Sequence, residues 1–268
     1  MRLGGNMAVI SWGIIGPGAI AHNFADGLAQ SQSGKLVAIA SRDAGRRATF
    51  GDAYGIAPDR RYSDYAALMA DARIDAIYIA TPHPWHAELS IAALRAGKAV
   101  LCEKPAGMNS AEVVAVTEVA RQVGRFYMEA FMYRCHPQIA RVLEVIASGE
   151  IGEISHISTH FGFNAGFDAT SRLYDPALGG GGILDVGGYP VSLARLIAGA
   201  AVGQPFANPD VVRGTGVLAA SGVDAVALAT LRFPGGFTAE IGVAVARNMD
   251  NRAIISGTKG QIDRKSVV

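Results

Sequence analysis

Short apolar runs alternate with longer segments of helical periodicity over the first half of the chain. Each run has strand length, and each intervening segment repeats apolar residues at helical spacing. This order predicts an α/β fold with a doubly wound parallel sheet covered by helices on both faces. The predicted strands are Val9–Ile15, Lys35–Ala40, Ala76–Ala80, Ala99–Cys102 and Phe126–Glu129, and the predicted helices are Ala19–Gln30, Ala44–Tyr54, Tyr65–Ala70, His86–Ala96 and Ser110–Val123, the last with Ser110 as its N-cap.

The pattern changes after about residue 133. Helices are predicted for Pro137–Ser148 and, after a run of glycines, for Ile183–Ile197. Strand patterns surround them, and Pro234-Gly235-Gly236 between two of these is a hairpin signal. We therefore predict a Rossmann-type domain over residues 1–133 and, over residues 134–268, an α+β domain built on an open, mostly antiparallel sheet. Its strands are predicted at Ile154–Phe163, Val211–Leu218, Ala225–Phe233 and Phe237–Val245.

A glycine motif lies between the first predicted strand and the first predicted helix. It reads Gly16-Pro17-Gly18-Ala19-Ile20-Ala21. In a dinucleotide-binding turn, the first glycine permits the tight bend and the second lets a pyrophosphate approach the backbone. The small third residue allows close packing of helix and strand. The motif predicts cofactor binding by this turn, with an ordinary glycine-rich connection as the alternative.

The second strand ends in Ser41-Arg42-Asp43, about 20 residues after the turn, where an acidic residue would bind the ribose of NAD. A hydroxyl and a guanidinium group suit a 2′-phosphate better than a carboxylate does. Ser41 and Arg42 therefore favour NADP, while Asp43 keeps NAD possible. The alternative for Arg42 is a solvated arginine at the start of a helix.

Lys104 follows another predicted strand, within Glu103-Lys104-Pro105. Ligands bind at the carboxyl ends of parallel strands, so this lysine is a candidate for proton transfer beside a nicotinamide. The alternative is a surface lysine in a loop.

Asp185 and Tyr189 are four residues apart in the helix after the glycine run, and so share one face. We expect the glycines to let a ligand approach the backbone, and this pair to bind a substrate. Because a phenol usually titrates near 10, Tyr189 would need the charge of Lys104 or the cofactor nearby. The alternative is a capping aspartate and a half-buried tyrosine.

Composition excludes several classes of protein. Half of the residues are apolar and 18% are charged, which predicts a folded chain. A formal charge of +1 without a block of like charges argues against nucleic acid as a partner.

The apolar runs are too short for a membrane helix. Cys102 and Cys135 predict neither a disulfide framework nor a cysteine zinc site, which favours the cytoplasm. One alternative is a signal peptide from Arg2 to an A-x-A site at Ala19-Ile20-Ala21.

Several motifs in order resemble the Gfo/Idh/MocA oxidoreductase family, and most closely its branch of dihydrodiol and NADP-dependent xylose dehydrogenases. Besides the glycine turn, they are Thr81-Pro82-His83-Pro84-Trp85-His86, Glu103-Lys104-Pro105, Met128-Glu129-Ala130-Phe131-Met132-Tyr133-Arg134, Asp175-Pro176-Ala177-Leu178-Gly179-Gly180-Gly181 and Gly257-Thr258-Lys259-Gly260.

The resemblance implies an enzyme that transfers hydride between NAD(P) and a CH–OH or C=O group of a sugar, polyol or dihydrodiol. It implies Lys104 as the catalytic lysine, Tyr189 as proton donor or acceptor and Asp185 as a substrate-binding or supporting acid. It also implies a dimer or tetramer that associates through the C-terminal sheet. Residues implied along the cofactor are Thr81, Pro82, His83, His86, Glu103 and Lys104.

Four other interpretations of the sequence bear on function. His83 and His86 could suggest a metal pair, but no third ligand is evident, so no metal is expected. No tyrosine is followed by the lysine of a short-chain dehydrogenase, and the phosphate-binding loop of kinases is absent. A nucleotide-binding regulator without catalysis is the remaining alternative. Family chains usually continue beyond Gly260 with further strands, so we also expect a shortened C-terminal domain.

Overall fold

The computed structural model describes residues 9–265, which form two compact units divided between Ala130 and Phe131. The division falls close to the predicted boundary at residue 133, and the separate roles given to the two domains stay predictions. Arg2, the charged start of the alternative signal segment, lies outside the described residues. None of the helices within residues 9–265 combines the length and apolar character needed to cross a bilayer.

The first unit is built on a six-stranded parallel sheet in the order β3-β2-β1-β4-β5-β6. All five predicted strands are present, and β3 was not predicted because two residues cannot form a recognisable apolar run. The strands are β1 (Ile10–Ile15), β2 (Gly34–Ala40), β3 (Arg61–Tyr62), β4 (Ala76–Ile79), β5 (Ala99–Cys102) and β6 (Tyr127–Glu129), and the helices are α1 (Ala19–Ala29), α2 (Ala44–Ala53), α3 (Tyr65–Ala70), α4 (His86–Arg95) and α5 (Ser110–Val123).

Helices on both faces explain why the central strands are almost wholly apolar. Successive residues of a strand point to opposite faces, so Ile15 packs with Leu94 in one core cluster while Ile14 packs with Phe50 in another. All four side chains are buried. The sheet therefore presents its carboxyl edge, rather than a face, to any ligand.

Helix α5 begins differently from the prediction. Its N-cap is Asn109, whose side-chain oxygen accepts the N–H of Glu112 over 3.1 Å, and Ser110 is already helical. The Asn109 amide also donates to the Glu112 carboxylate over 2.9 Å, so Asn109 is bonded to both the backbone and the side chain of Glu112. The prediction of Ser110 as the cap was wrong by one residue. Gly124 ends the helix with φ +63°.

The second unit is built on a mixed sheet in the order β12-β11-β7-β10-β9-β8, in which only β7 and β10 are parallel. The hairpin around Pro234–Gly236 forms as predicted and lies inside the sheet, whereas β11 and β12 were not predicted. The elements are α6 (Pro137–Ala147), β7 (Ile154–Gly162), α7 (Gly188–Ala201), β8 (Val211–Leu218), β9 (Asp224–Arg232), β10 (Thr238–Ala244), β11 (Arg252–Gly257) and β12 (Gln261–Lys265).

One face of this second sheet forms a core with α6 and α7. Ile157 and Ile255 from the sheet and Leu193 from α7 are wholly buried in it. Other strand positions, such as Leu228 and Glu240, are exposed. Association through the C-terminal sheet stays a prediction.

Candidate active site

The glycine turn after β1 contains one glycine that the protein itself requires. Gly16 has φ +91°, and a Cβ on it would lie 2.9 Å from the carbonyl oxygen of Ala80. A side chain here would meet both backbone strain and a backbone clash. The Gly16 N–H also donates to the Ala40 carbonyl over 3.1 Å. The first glycine thus lets the chain pass between the ends of β2 and β4.

Gly18 has no such internal reason. Its φ of −87° suits any residue, and a Cβ on it would meet no described atom within 4 Å. Helix α1 starts at Ala19 without a side-chain cap from the described residues and without an acidic residue in its first turn. Ala21 is wholly buried against the sheet. Open space above an uncapped helix N-terminus is what a diphosphate requires, so the predicted turn, with Pro17 and Ile20, fits a dinucleotide.

The end of β2 gives Ser41 and Asp43 structural contacts. The buried Ser41 donates its N–H to the Tyr62 carbonyl over 3.1 Å, and its hydroxyl accepts the N–H of Asp43 over 3.2 Å. Asp43 is the N-cap of α2, where Oδ1 accepts the N–H of Arg46 over 2.8 Å. The carboxylate that kept NAD possible therefore already serves as a helix cap.

Arg42 is exposed at the same strand end. Its guanidinium carbon lies 5.9 Å from the ring centroid of Tyr65 and 5.7 Å from that of Trp85, within the range of cation–π contacts. Arg47 donates to the Ser41 carbonyl over 2.5 Å. Arg42 and Arg47 thus place two guanidinium groups at this end of β2, which suits an anionic group.

The loop after β4 adjoins the glycine turn. The amide nitrogen of Thr81 would lie 3.0 Å from a Cβ on Gly16, and the Thr81 hydroxyl is buried without a hydrogen-bond partner among residues 9–265. Pro82 precedes a short 3₁₀ turn that begins at the buried His83. These neighbours of the turn are the positions predicted to lie along the cofactor.

His86 is held by contacts inside the protein, and its predicted place along the cofactor stays a prediction. Its ring is 0% exposed, with Nδ1 2.7 Å from the Pro105 carbonyl oxygen and Nε2 2.6 Å from that of Thr81. Burial lowers the pKa of His86, and a neutral imidazole donates from one nitrogen only. Both nitrogens of His86 thus face backbone carbonyls, one in each of the two loops that it joins.

The same geometry bears on the metal question. His83 and His86 have ring centroids 5.8 Å apart, and the nitrogens of His86 are already directed at carbonyl oxygens. Over residues 9–265, no group of three or more His, Cys, Asp or Glu side chains could hold a metal ion.

Lys104 lies just beyond the end of β5, at the carboxyl edge of the parallel sheet. Its N–H donates to Oε2 of Glu103 over 3.3 Å, and Oε1 of Glu103 accepts the hydroxyl of Tyr78 over 2.5 Å. Glu103 and Tyr78 are both buried. The Lys104–Pro105 peptide is cis. The hydrogen bond between Tyr78 and Glu103 connects the backbone that carries the lysine to strand β4.

Two further side chains hold the residues that follow Lys104. His86 of α4 contacts the Pro105 carbonyl, and Oε1 of Glu129 from β6 accepts the N–H of Ala106 over 2.8 Å. Burial raises the pKa of Glu129, although the Ala106 N–H opposes this effect. We call Glu103, His86 and Glu129 the lysine clamp. Two buried side chains and one half-buried side chain that contact the backbone around one lysine indicate a site that needs precise placement.

The second unit carries Asp185 and Tyr189 on one continuous helical segment. It begins with a π-helical turn, Ile183–Gly187, and continues as α7. Such turns are frequent at functional sites. Asp185 is 4% exposed and accepts a 3.1 Å hydrogen bond from Nη1 of Arg172, whose side chain is 49% exposed. Arg172, which the sequence did not reveal, presents a guanidinium group beside the buried carboxylate.

Tyr189 lies among aromatic rings. Its ring centroid is 5.7 Å from that of Phe131, 5.5 Å from that of Phe161 and 6.1 Å from that of Tyr133. The first two contacts are edge-to-face, and the Tyr189 side chain is 4% exposed. These contacts pack the Tyr189 ring against three other aromatic rings.

The glycine run before this helix has a role other than the one predicted. A Cβ on Gly180 would lie 2.7 Å from the Leu173 carbonyl oxygen, and one on Gly181 would lie 2.2 Å from Oδ1 of Asp224. These two glycines make room for the protein's own atoms. The expectation that the run admits a ligand is therefore corrected at these positions. Asp224 and Arg172 had no signal of their own in the sequence, whereas Glu129 lay within the motif from Met128 to Arg134.

Two family models match the chain. One, an oxidoreductase family with an NAD-binding Rossmann fold, matches residues 10–131. The other is the C-terminal domain of the Gfo/Idh/MocA family and matches residues 139–263. Together they cover both units.

Individual proteins agree with the models. Mouse trans-1,2-dihydrobenzene-1,2-diol dehydrogenase is 36% identical over 253 residues, which are 94% of this chain and 73% of the mouse protein. The aldose–aldose oxidoreductase of Caulobacter crescentus, solved with glycerol, has a TM-score of 0.88 at 27% identity. The match covers 97% of this chain and 78% of the Caulobacter chain. A 3-ketoreductase of Actinomadura kijaniata, solved with NADP and TDP-benzene, has a TM-score of 0.82 at 30% identity over 96% and 77% of the two chains.

Proposed function

Because the chain belongs to the Gfo/Idh/MocA oxidoreductase family, we propose that it oxidises or reduces a sugar-like or dihydrodiol substrate with a nicotinamide cofactor, using Lys104, Asp185 and Tyr189. The observation that carries this proposal is the lysine clamp, in which the buried Glu103 and His86 and the half-buried Glu129 contact the backbone around Lys104. A surface lysine would need no such support.

Each proposed residue has a distinct task. Bound NAD(P) supplies the hydride acceptor or donor. Tyr189 exchanges a proton with the substrate hydroxyl or carbonyl oxygen, and Lys104 supplies a positive charge at the carboxyl edge of the parallel sheet. The Asp185 carboxylate accepts hydrogen bonds from substrate hydroxyls, while the exposed part of Arg172 donates to them.

The substrate we propose is a cyclic molecule with neighbouring hydroxyl or carbonyl groups. Phe131 and Phe161 beside Tyr189 suit an apolar ring face, and the Asp185–Arg172 pair suits hydroxyls. Relatives that act on a dihydrodiol and on aldoses support this class. Initial rates with NADPH or NADP across aldoses, inositols and trans-dihydrodiols test it, and equal inactivity towards all three groups would contradict it.

We propose NADP as the preferred cofactor. Arg42→Ala should weaken NADPH binding by about 1.5–3 kcal/mol, the range for a hydrogen bond to a charged group, and should leave NADH binding nearly unchanged. Calorimetric titration of both cofactors checks this, with Arg141→Ala, an exposed arginine of the second unit, as the control. Equal losses for NADPH and NADH would remove Arg42 as the cause of selectivity.

Gly18→Asp separates cofactor binding from stability. Aspartate is a favoured N-cap and its charge suits a helix N-terminus, so the melting temperature of the cofactor-free variant should be equal or higher. NADPH affinity should fall at least about tenfold, or ~1.4 kcal/mol, because a carboxylate would occupy the space above the helix and repel phosphate. Gly18→Asn, which fills the space without the charge, should lose less. Unchanged affinity in the aspartate variant would place the diphosphate elsewhere.

A further inference from the structure

The helix that carries Asp185 and Tyr189 is capped from a distant strand. No local side chain caps its start at Ile183. Instead, Oδ2 of Asp224, the first residue of β9, accepts the N–H of Ile183 over 2.7 Å. The helix position therefore depends on a residue that follows it by some forty positions in the chain.

The fit between Asp224 and the glycine run is close. Gly181 has φ +105°, and a Cβ on it would lie 2.2 Å from Oδ1 of Asp224. A Cβ on Gly182 would lie 3.3 Å from Oδ2. Oδ2 of Asp224 thus accepts the N–H of Ile183, and Oδ1 lies in the space that a side chain on Gly181 would need.

The carboxylate is also only partly hydrated. Burial raises the pKa of Asp224, and the N–H groups of Ile183 and Gly182 oppose this effect. Backbone donors at a helix start stabilise the ionised form, as in other charged N-caps. No charged side chain contributes to this balance, so the contact is a cap and not an ion pair.

Asp185 lies two residues after Ile183, the residue whose N–H is bonded to Asp224. Its own N–H donates to the carbonyl of Gly181 over 3.1 Å, within the π-helical turn. A shift of the helix start would move Asp185 first and then Tyr189, one turn further along. A misplacement of about 1 Å can lower a rate by about 10²-fold. Loss of the Asp224 cap would therefore lower the turnover number through these two residues.

We propose that Asp224 is a positioning residue, which holds the start of the helix where Asp185 and Tyr189 can act on the substrate. It contacts neither substrate nor cofactor, and acts only through the helix. This inference rests on the proposed function, since it assigns Asp224 to the support of residues proposed there.

Asp224→Asn is the principal test, because asparagine keeps the shape and one acceptor oxygen but loses the charge. The turnover number per folded enzyme should fall about 10- to 100-fold, with a smaller change in KM and with NADPH affinity within about twofold of the unmodified protein. Asp224→Glu, which retains the charge, should recover part of the loss. Asp210→Asn, an exposed carboxylate of the same unit paired with Arg232, is the control and should retain full turnover.

The folded fraction is measured by circular dichroism and NADPH titration, so that activity lost through misfolding is not counted as a catalytic defect. Asp224→Asn with unchanged turnover per folded enzyme would overturn the inference. A loss of total activity that is fully explained by a smaller amount of folded protein would overturn it in the same way. Tyr189→Phe is assayed in parallel. If that variant keeps full turnover, the proposed function of the helix fails; if it loses turnover while Asp224→Asn does not, only the role of Asp224 fails.

Discussion

Tyr189→Phe should lower the turnover number by about 10²–10⁴-fold, the usual contribution of a positioned acid or base. The substitution removes only the phenolic oxygen and keeps the ring that packs against Phe131 and Phe161. NADPH affinity should be unchanged, because the residues proposed to bind it belong to the first unit. Steady-state rates at saturating substrate, with NADPH titrated separately, provide the measurement.

Tyr133→Phe is the matched control for this variant. Tyr133 lies in the same aromatic group, and its hydroxyl bonds to Oγ of Ser192 over 2.9 Å. Loss of that bond should reduce stability by about 0.5–1.5 kcal/mol and leave turnover nearly intact. If both variants lost turnover equally, Tyr189 would be acting as a structural residue.

Lys104→Met should lower the turnover number by about 10²–10³-fold, as expected when one electrostatic group at a reacting centre is removed. Methionine keeps the aliphatic side chain and removes the charge. The clamp contacts of Glu103, His86 and Glu129 are made to backbone atoms next to this side chain, so the fold of the loop should persist. Turnover across pH 6–10, with the melting temperature of each variant, is the measurement.

Lys35→Met, an exposed lysine of the same unit, controls for the loss of one positive charge. It should retain the turnover of the unmodified protein. Lys104→Arg should regain part of the activity, because it restores the charge with a different geometry. A fully active Lys104→Met would show that the clamp serves only the loop.

Local signals in the sequence were enough for much of the first unit. The strands are buried on both faces and therefore form continuous apolar runs, and Gly16 and Gly18 follow the first of them at fixed spacing. The lysine at the end of β5 was found in the same way. These features depend on residues close together in the chain, so a pattern can reveal them.

Contacts between distant residues could not be predicted in this way. Glu129 reaches Ala106, and Asp224 reaches Ile183, through side chains whose partners are set by the folded sheet. The glycine run was assigned to a ligand because nothing local indicated that Asp224 would occupy the space. Asn109 rather than Ser110 caps α5 because the reciprocal pair with Glu112 decides between two adjacent cap residues.

Transfer of deuterium from NADPH labelled at the nicotinamide C4 tests the central claim most directly. The protein is incubated with the labelled cofactor and the carbonyl form of each substrate class, and the product is analysed by mass spectrometry and NMR. The account predicts one deuterium on the carbinol carbon of the product, formed by the unmodified protein and at least about 10²-fold more slowly by Tyr189→Phe. Oxidation of the cofactor without deuterium in the product, or no oxidation with any of the substrates, would contradict it.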